Sequence, residues 1–85
     1  MQKRVDNILE ERQEEYGNAA QNFTDIGIIW GALLRIEPIP NYQVALMMDA
    51  LKTVRCFNNP THKDSWFDKE GYTELGLEIV FANES

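Results

Sequence analysis

Apolar side chains in this sequence recur three and four positions apart, and nowhere do they alternate as a half-buried strand requires. That spacing makes the chain all-α. Val5, Ile8, Leu9, Arg12 and Tyr16 form one stripe, and Gly17 with Asn18 reads as a C-terminal cap behind it. Ala19, Asn22, Phe23, Ile26, Trp30, Leu33 and Leu34 form a second stripe, which Pro38 and Pro40 close. Val44, Met47, Met48, Leu51 and Arg55 follow, with Asn41 as their cap and Asn58, Asn59 and Pro60 as their stop. A last helix is predicted from near Asp64 to about Ala82, with Asp64, Asp68, Tyr72, Leu75 and Ile79 on one face. The expected architecture is a compact bundle of four helices joined by short turns, one helical domain over residues 1–85. Gly27 and Gly31, four apart, predict a close approach by another helix.

Size and charge narrow the function. Eighty-five residues make one small domain, and a core this small is marginal alone, so self-association is expected. A net charge of -6 argues against coating DNA or an anionic membrane through bulk charge. One cysteine, Cys56, and one histidine, His62, exclude an internal disulfide and a cysteine- or histidine-rich zinc site. The first residues carry no apolar signal-peptide core, and the longest apolar run, from Ile26 to Leu34, is too short to span a bilayer. The expected compartment is a cytoplasm.

The informative residues are the polar ones on apolar stripes. Asp64 and Asp68 are one turn apart and can offer carboxylate oxygens to a divalent cation. They also suit a helix N-terminus, with Ser65 and Asp68 as a loose capping box. Lys52 and Arg55 repel unless both face carboxylates or a phosphate; otherwise they form a solvated edge, with Asp49 pairing Lys52. Arg12 or Arg55, each on an apolar stripe, is expected to lie within salt-bridge reach of Asp64 or Asp68. Glu10, Glu11 and Glu14 spell E-E-x-x-E, a spacing that serves a metal or, more often, a solvated face. His62 reads as a loop or cap residue, and Trp30 and Trp66 as core or interface anchors.

Three blocks carry a resemblance. They are Glu11-Arg12-Gln13-Glu14-Glu15-Tyr16-Gly17 with Asn22-Phe23, Val44-Ala45-Leu46-Met47-Met48 running into Lys52 and Arg55, and Asn59-Pro60-Thr61-His62-Lys63-Asp64-Ser65-Trp66 with Asp68, Gly71 and Tyr72. Together they resemble a family of short, phage- or prophage-encoded helical domains of uncharacterised function. More distantly the chain is similar to the MazG-like all-α nucleotide pyrophosphohydrolases. Those enzymes bind magnesium through E-E-x-x-E and a later E-x-x-D; here the nearest later acidic pair is Asp64-x-x-x-Asp68.

The resemblance implies a domain that binds or hydrolyses a nucleotide, with Mg²⁺ as cofactor and pyrophosphate as a product. Asp64 and Asp68 would be metal ligands and Glu11 a third ligand or base. Arg12, Lys52 and Arg55 would meet phosphate, and Tyr16, Asn22 and Tyr72 the base or sugar. It also implies a homodimer or tetramer, for which Trp30, Met47, Met48 and Phe81 are available. The alternative is a non-catalytic accessory protein that binds a host or phage protein, its charged cluster purely structural.

Overall fold

The computed structural model describes the backbone of residues 2–82 and the side chains of residues 15–82. There are three helices among the described residues rather than four: α1 (Gln2–Leu34), α2 (Asn41–Asn58) and α3 (Lys63–Phe81). The two N-terminal stripes lie on one helix. Gly17 does not adopt a positive φ, so it does not cap, and α1 runs through it. One glycine inside a long helix costs only about 1 kcal/mol relative to alanine, too little to end it. A methyl group at Gly17 would meet nothing within 4 Å, so packing does not demand glycine there.

The true end of α1 comes at Arg35, whose φ of 58° is left-handed. Its N–H donates to the Ala32 carbonyl at 3.3 Å, and that of Ile36 to Gly31 at 2.9 Å. These two bonds satisfy carbonyls that the helix end would otherwise orphan. The chain then doubles back over α1. Ile39 N–H donates to the Gly27 carbonyl at 3.1 Å. A Cβ at Gly27 would lie 1.9 Å from the Ile39 carbonyl oxygen, and one at Gly31 2.8 Å from that of Glu37. The close approach expected at the glycine pair is therefore real, but the proline connector makes it, not a helix.

Asn41 is the first residue of α2, and Pro40 stands in the cap position with no side-chain bond. Ser65 sits one turn inside α3 behind His62, so it does not cap that helix either. Instead Ser65, 1% exposed, places its Oγ 2.9 Å from His62 Nδ1. The turn between α2 and α3 is fixed by Trp66, whose indole N–H donates to the Pro60 carbonyl at 2.9 Å.

The core is small. Phe23, Val44 and Ala45 are its buried centre, with Ile26, Trp30, Ile39, Met48, Tyr72 and Leu75 packed around them. The α2–α3 hairpin thus has an inner face, carrying Val44, Met48, Tyr72 and Leu75, toward α1. Its outer face has no helix over it among the described residues.

Candidate functional site

The α2–α3 seam brings charges together by helix register. Lys52 on α2 reaches Asp68 on α3, Nζ to Oδ2 3.1 Å. One turn away, Asp49 receives Lys69 at 2.5 Å and the Thr73 hydroxyl at 2.6 Å. The expected local pairing of Asp49 with Lys52 is not made; each finds its partner across the seam. Hydrogen bonds from Lys69 and then Thr73 hold the Asp49 carboxyl below its ordinary value, against an opposing pull from burial. This triad was missed by sequence reasoning. Its one signal was Lys69 and Thr73, four apart on the same side of α3.

The antiparallel hairpin sets Arg55 one turn beyond Lys52 toward the connecting turn, and Asp64 one turn beyond Asp68 the same way. Both are exposed. Arg55 forms an ion pair with neither Asp64 nor Asp68, and it is Lys52 that meets Asp68; the Arg12 half of the expectation lies outside the described residues. The reason is exposure: a guanidinium in water requires no carboxylate. Lys52 is the more enclosed cation, its side chain 15% exposed against 49% for Asp68.

Tyr72 continues the Asp64–Asp68 stripe and is half-buried, its ring 5.9 Å from that of Phe23. Asn22 is exposed on α1 beside Phe23. Tyr16 is half-buried and lines a separate open groove of about 530 Å³ with Glu15, Gly71, Glu74 and Glu78. The side chains of Glu10, Glu11, Arg12 and Glu14 lie outside the described residues. The structure therefore brings together Lys52, Arg55, Asp64, Asp68 and Tyr72 along one hairpin face and sets Tyr16 in another hollow. Among the described residues no three carboxylate, histidine or cysteine side chains converge as a metal cluster. Also among them, no helix is long and apolar enough to cross a membrane.

These features define an all-α protein, with three helices among the described residues and two ion pairs across the α2–α3 seam. Residues 1–80 match the family model described as a domain of unknown function, DUF6378, and the chain belongs to that family. It is similar to the Gene 55 protein of Mycobacterium phage L5, 37% identical over 62 residues. The Gene 55 protein of Mycobacterium phage D29 is 36% identical over the same length. Each match covers 73% of this chain but 40% of the relative, so the matched stretch spans well under half the length of those proteins. No solved structure matches.

Proposed function

We propose that the hairpin face bearing Lys52, Arg55, Asp64, Asp68 and Tyr72 binds the phosphate end of a nucleotide. The observation that carries this reading is the Lys52–Asp68 pair at 3.1 Å beside an exposed Arg55. Asp68 holds the Lys52 ammonium in place, and Arg55 stands one turn along with its guanidinium open to a phosphate, which it matches in two-pronged geometry. Tyr72, one turn along α3 from Asp68, would offer its hydroxyl to sugar or base, and Asn22 on α1 would be a further polar contact. The resemblance of the sequence blocks to MazG-like nucleotide pyrophosphohydrolases is what favours a nucleotide over other phosphates, and the phage relatives are consistent with a place in the cytoplasm of a host cell.

Asp64 and Asp68 would oppose a polyphosphate by charge unless a cation stood between them. Magnesium suits such a donor set, since it takes one or two carboxylates and completes its shell with water and substrate phosphate. Asp64 and Asp68 would hold it, with Glu11 as third ligand or base and Arg12 as a further phosphate contact. Bound there, the ion would neutralise charge on the phosphate oxygens.

The test is calorimetric titration with a panel of non-hydrolysable nucleoside triphosphates, with and without Mg²⁺, beside an assay of pyrophosphate release from the natural ones. Arg55→Ala is expected to weaken binding about tenfold or more, the loss of one charge-assisted contact, and to leave the melting temperature unchanged. Absence of binding for every triphosphate at millimolar concentration removes the reading. The closed Lys52–Asp68 pair favours one other reading, a protein-binding accessory domain whose charges are structural. In that case Asp68→Asn lowers the melting temperature and no triphosphate is turned over.

A further inference from the structure

We infer that the outer face of the α2–α3 hairpin is a docking groove for a basic amphipathic helix of another protein. The apolar stripe of that helix would lie between α2 and α3, and its lysine or arginine edge would meet Glu70 and Glu74. The groove is continuous. A hollow of about 200 Å³ between Tyr42, Leu46, Gly76 and Leu77 leads into one of about 400 Å³ beside Trp66, Thr73 and Leu77. The second shares Trp66 and Lys69 with a third, of about 380 Å³, beside Phe57. Leu46, Thr53 and Phe57 line the α2 side at helical spacing, with Ala50 in step. From Leu46 to Phe57 the groove runs about 16 Å, or about three turns of a helix laid along it. Its apolar residues are open to such a partner: Phe57 is 88% exposed and Leu77 58%.

The two sides of the groove differ in charge. The α2 side, from Leu46 through Ala50 and Thr53 to Phe57, carries none. On the α3 side Glu70 and Glu74 are exposed one turn apart, and neither forms an ion pair among the described residues. Like charges at that spacing repel each other along a helix, and a cationic edge laid against them relieves the repulsion. The floor makes no competing demand. Asp49, Lys69 and Thr73 bond one another, and the Trp66 indole already donates to the Pro60 carbonyl. Covering the floor therefore breaks no hydrogen bond.

The charge pattern selects the occupant. Nucleic acid and anionic lipid would meet the glutamates as like charge. A second copy of this chain offers no open cation on this face among the described residues, because Lys69 is held by Asp49. A helix with an apolar stripe and one basic edge fits both the groove and its acidic side. Arg55 stands about 200° round α2 from Phe57, so the groove lies apart from the nucleotide face and this inference does not rest on that reading.

The probe is a synthetic amphipathic helix of about 18 residues, long enough to cross the groove, with a leucine stripe and one lysine edge. A second peptide replaces the lysines by glutamates, and a third keeps the composition in an order that breaks the stripe. Each is titrated into the isotope-labelled 85-residue chain. The lysine-edged peptide is expected to shift the resonances of Leu46, Phe57, Trp66 and Leu77, and the other two are not. Glu70→Gln combined with Glu74→Gln should weaken binding about threefold to tenfold, as should added salt. Both positions are exposed, so the melting temperature should hold. Leu77→Ser should weaken binding as well, while Leu33→Ser on α1 leaves it unchanged. No shift with the lysine-edged peptide at about 1 millimolar, equal shifts with the glutamate-edged one, or shifts confined to α1 overturn the inference. So does a peptide-free chain that sediments at twice 9.9 kDa and returns to 9.9 kDa with Leu77→Glu, since a second copy would then fill the groove.

Discussion

Two seams hold this protein together, and they are built from opposite materials. Between α1 and the proline connector, contact is made by backbone against backbone: Ile39 bonds the Gly27 carbonyl, and Ile36 that of Gly31. The seam exists because two side chains are missing. Between α2 and α3, contact is made by long charged side chains, Lys52 to Asp68 and Lys69 to Asp49. A seam made of missing atoms has no way to yield when an atom is added. A seam made of flexible side chains can re-form or be replaced by water. The first should therefore be brittle and the second tolerant, which orders the following tests.

Gly27→Ala is the largest expected effect. Its methyl group would fall 1.9 Å from the Ile39 carbonyl oxygen and 3.0 Å from its carbon, both backbone. The connector must move and lose its hydrogen bond, at a cost of about 3 kcal/mol or more. Thermal or urea unfolding should show a collapse of stability. A melting temperature within a few degrees of wild type, where ~1 kcal/mol shifts a small domain by 4–8 °C, would show that the connector does not grip α1 as described. Gly17→Ala is the internal control on the same helix. Nothing stands within 4 Å of its added methyl, so it should raise stability by about 0.5–1 kcal/mol.

Next comes Asp49, with Lys52 one of the two most enclosed charges of the second seam, 15% exposed at its side chain. Asp49→Ala removes the Lys69 contact and one of the two Thr73 hydroxyl bonds, the other being to the Lys69 carbonyl at 3.0 Å, a loss of about 1 kcal/mol since water can replace it at both groups. The native carboxyl titrates lower than the unfolded one, whose value is near 3.8. Its stabilising contribution is therefore present above about pH 4 and fades as pH falls through the lower native value. Acid unfolding monitored by circular dichroism should show this slope in the wild type and lose it in Asp49→Ala. An unchanged slope would mean that Lys69 and Thr73 do not hold this carboxylate.

Arg35 tests the end of the first seam from the stabilising side. A side chain at φ 58° is held in a region that costs roughly 1–2 kcal/mol for non-glycine residues. Arg35→Gly should relieve most of that and raise the unfolding free energy by about 1 kcal/mol. A loss instead would reveal a contact of the guanidinium worth more than the backbone strain.

The helical class was legible because periodicity is local, and so were the stops at Pro38, Pro40 and Pro60. The break at Gly17 was not, since a cap and a tolerated helix-interior glycine look alike until φ is known. Gly27 and Gly31 announced a close neighbour, but a missing Cβ says nothing of what fills the space. The same limit applies to the seam. Asp49 had Lys52 one turn away and Lys69 twenty positions off, and sequence spacing favours the near partner, whereas the hairpin register delivered the far one. Lys52, Arg55, Asp64 and Asp68 were legible as polar intruders on apolar stripes, and the structure sets them along one hairpin face. The partnership of Lys52 with Asp68 within that set depends on side-chain reach and exposure, neither of which is written in a stripe.

The smallest expected effect is the most telling for function. Lys52 and Asp68 form an ion pair with one half in solvent, and such pairs couple by about 1 kcal/mol or less. A double-mutant cycle with Lys52→Met and Asp68→Asn should return a coupling of that size in stability, shrinking as salt is added. If the pair is there to hold a phosphate-binding ammonium, Lys52→Met should weaken nucleotide binding far more than it weakens the fold. If the pair is only a strut, the two losses should be equally slight. A coupling above about 3 kcal/mol, typical of broken buried pairs, would make the second seam as rigid as the first and erase the contrast between them.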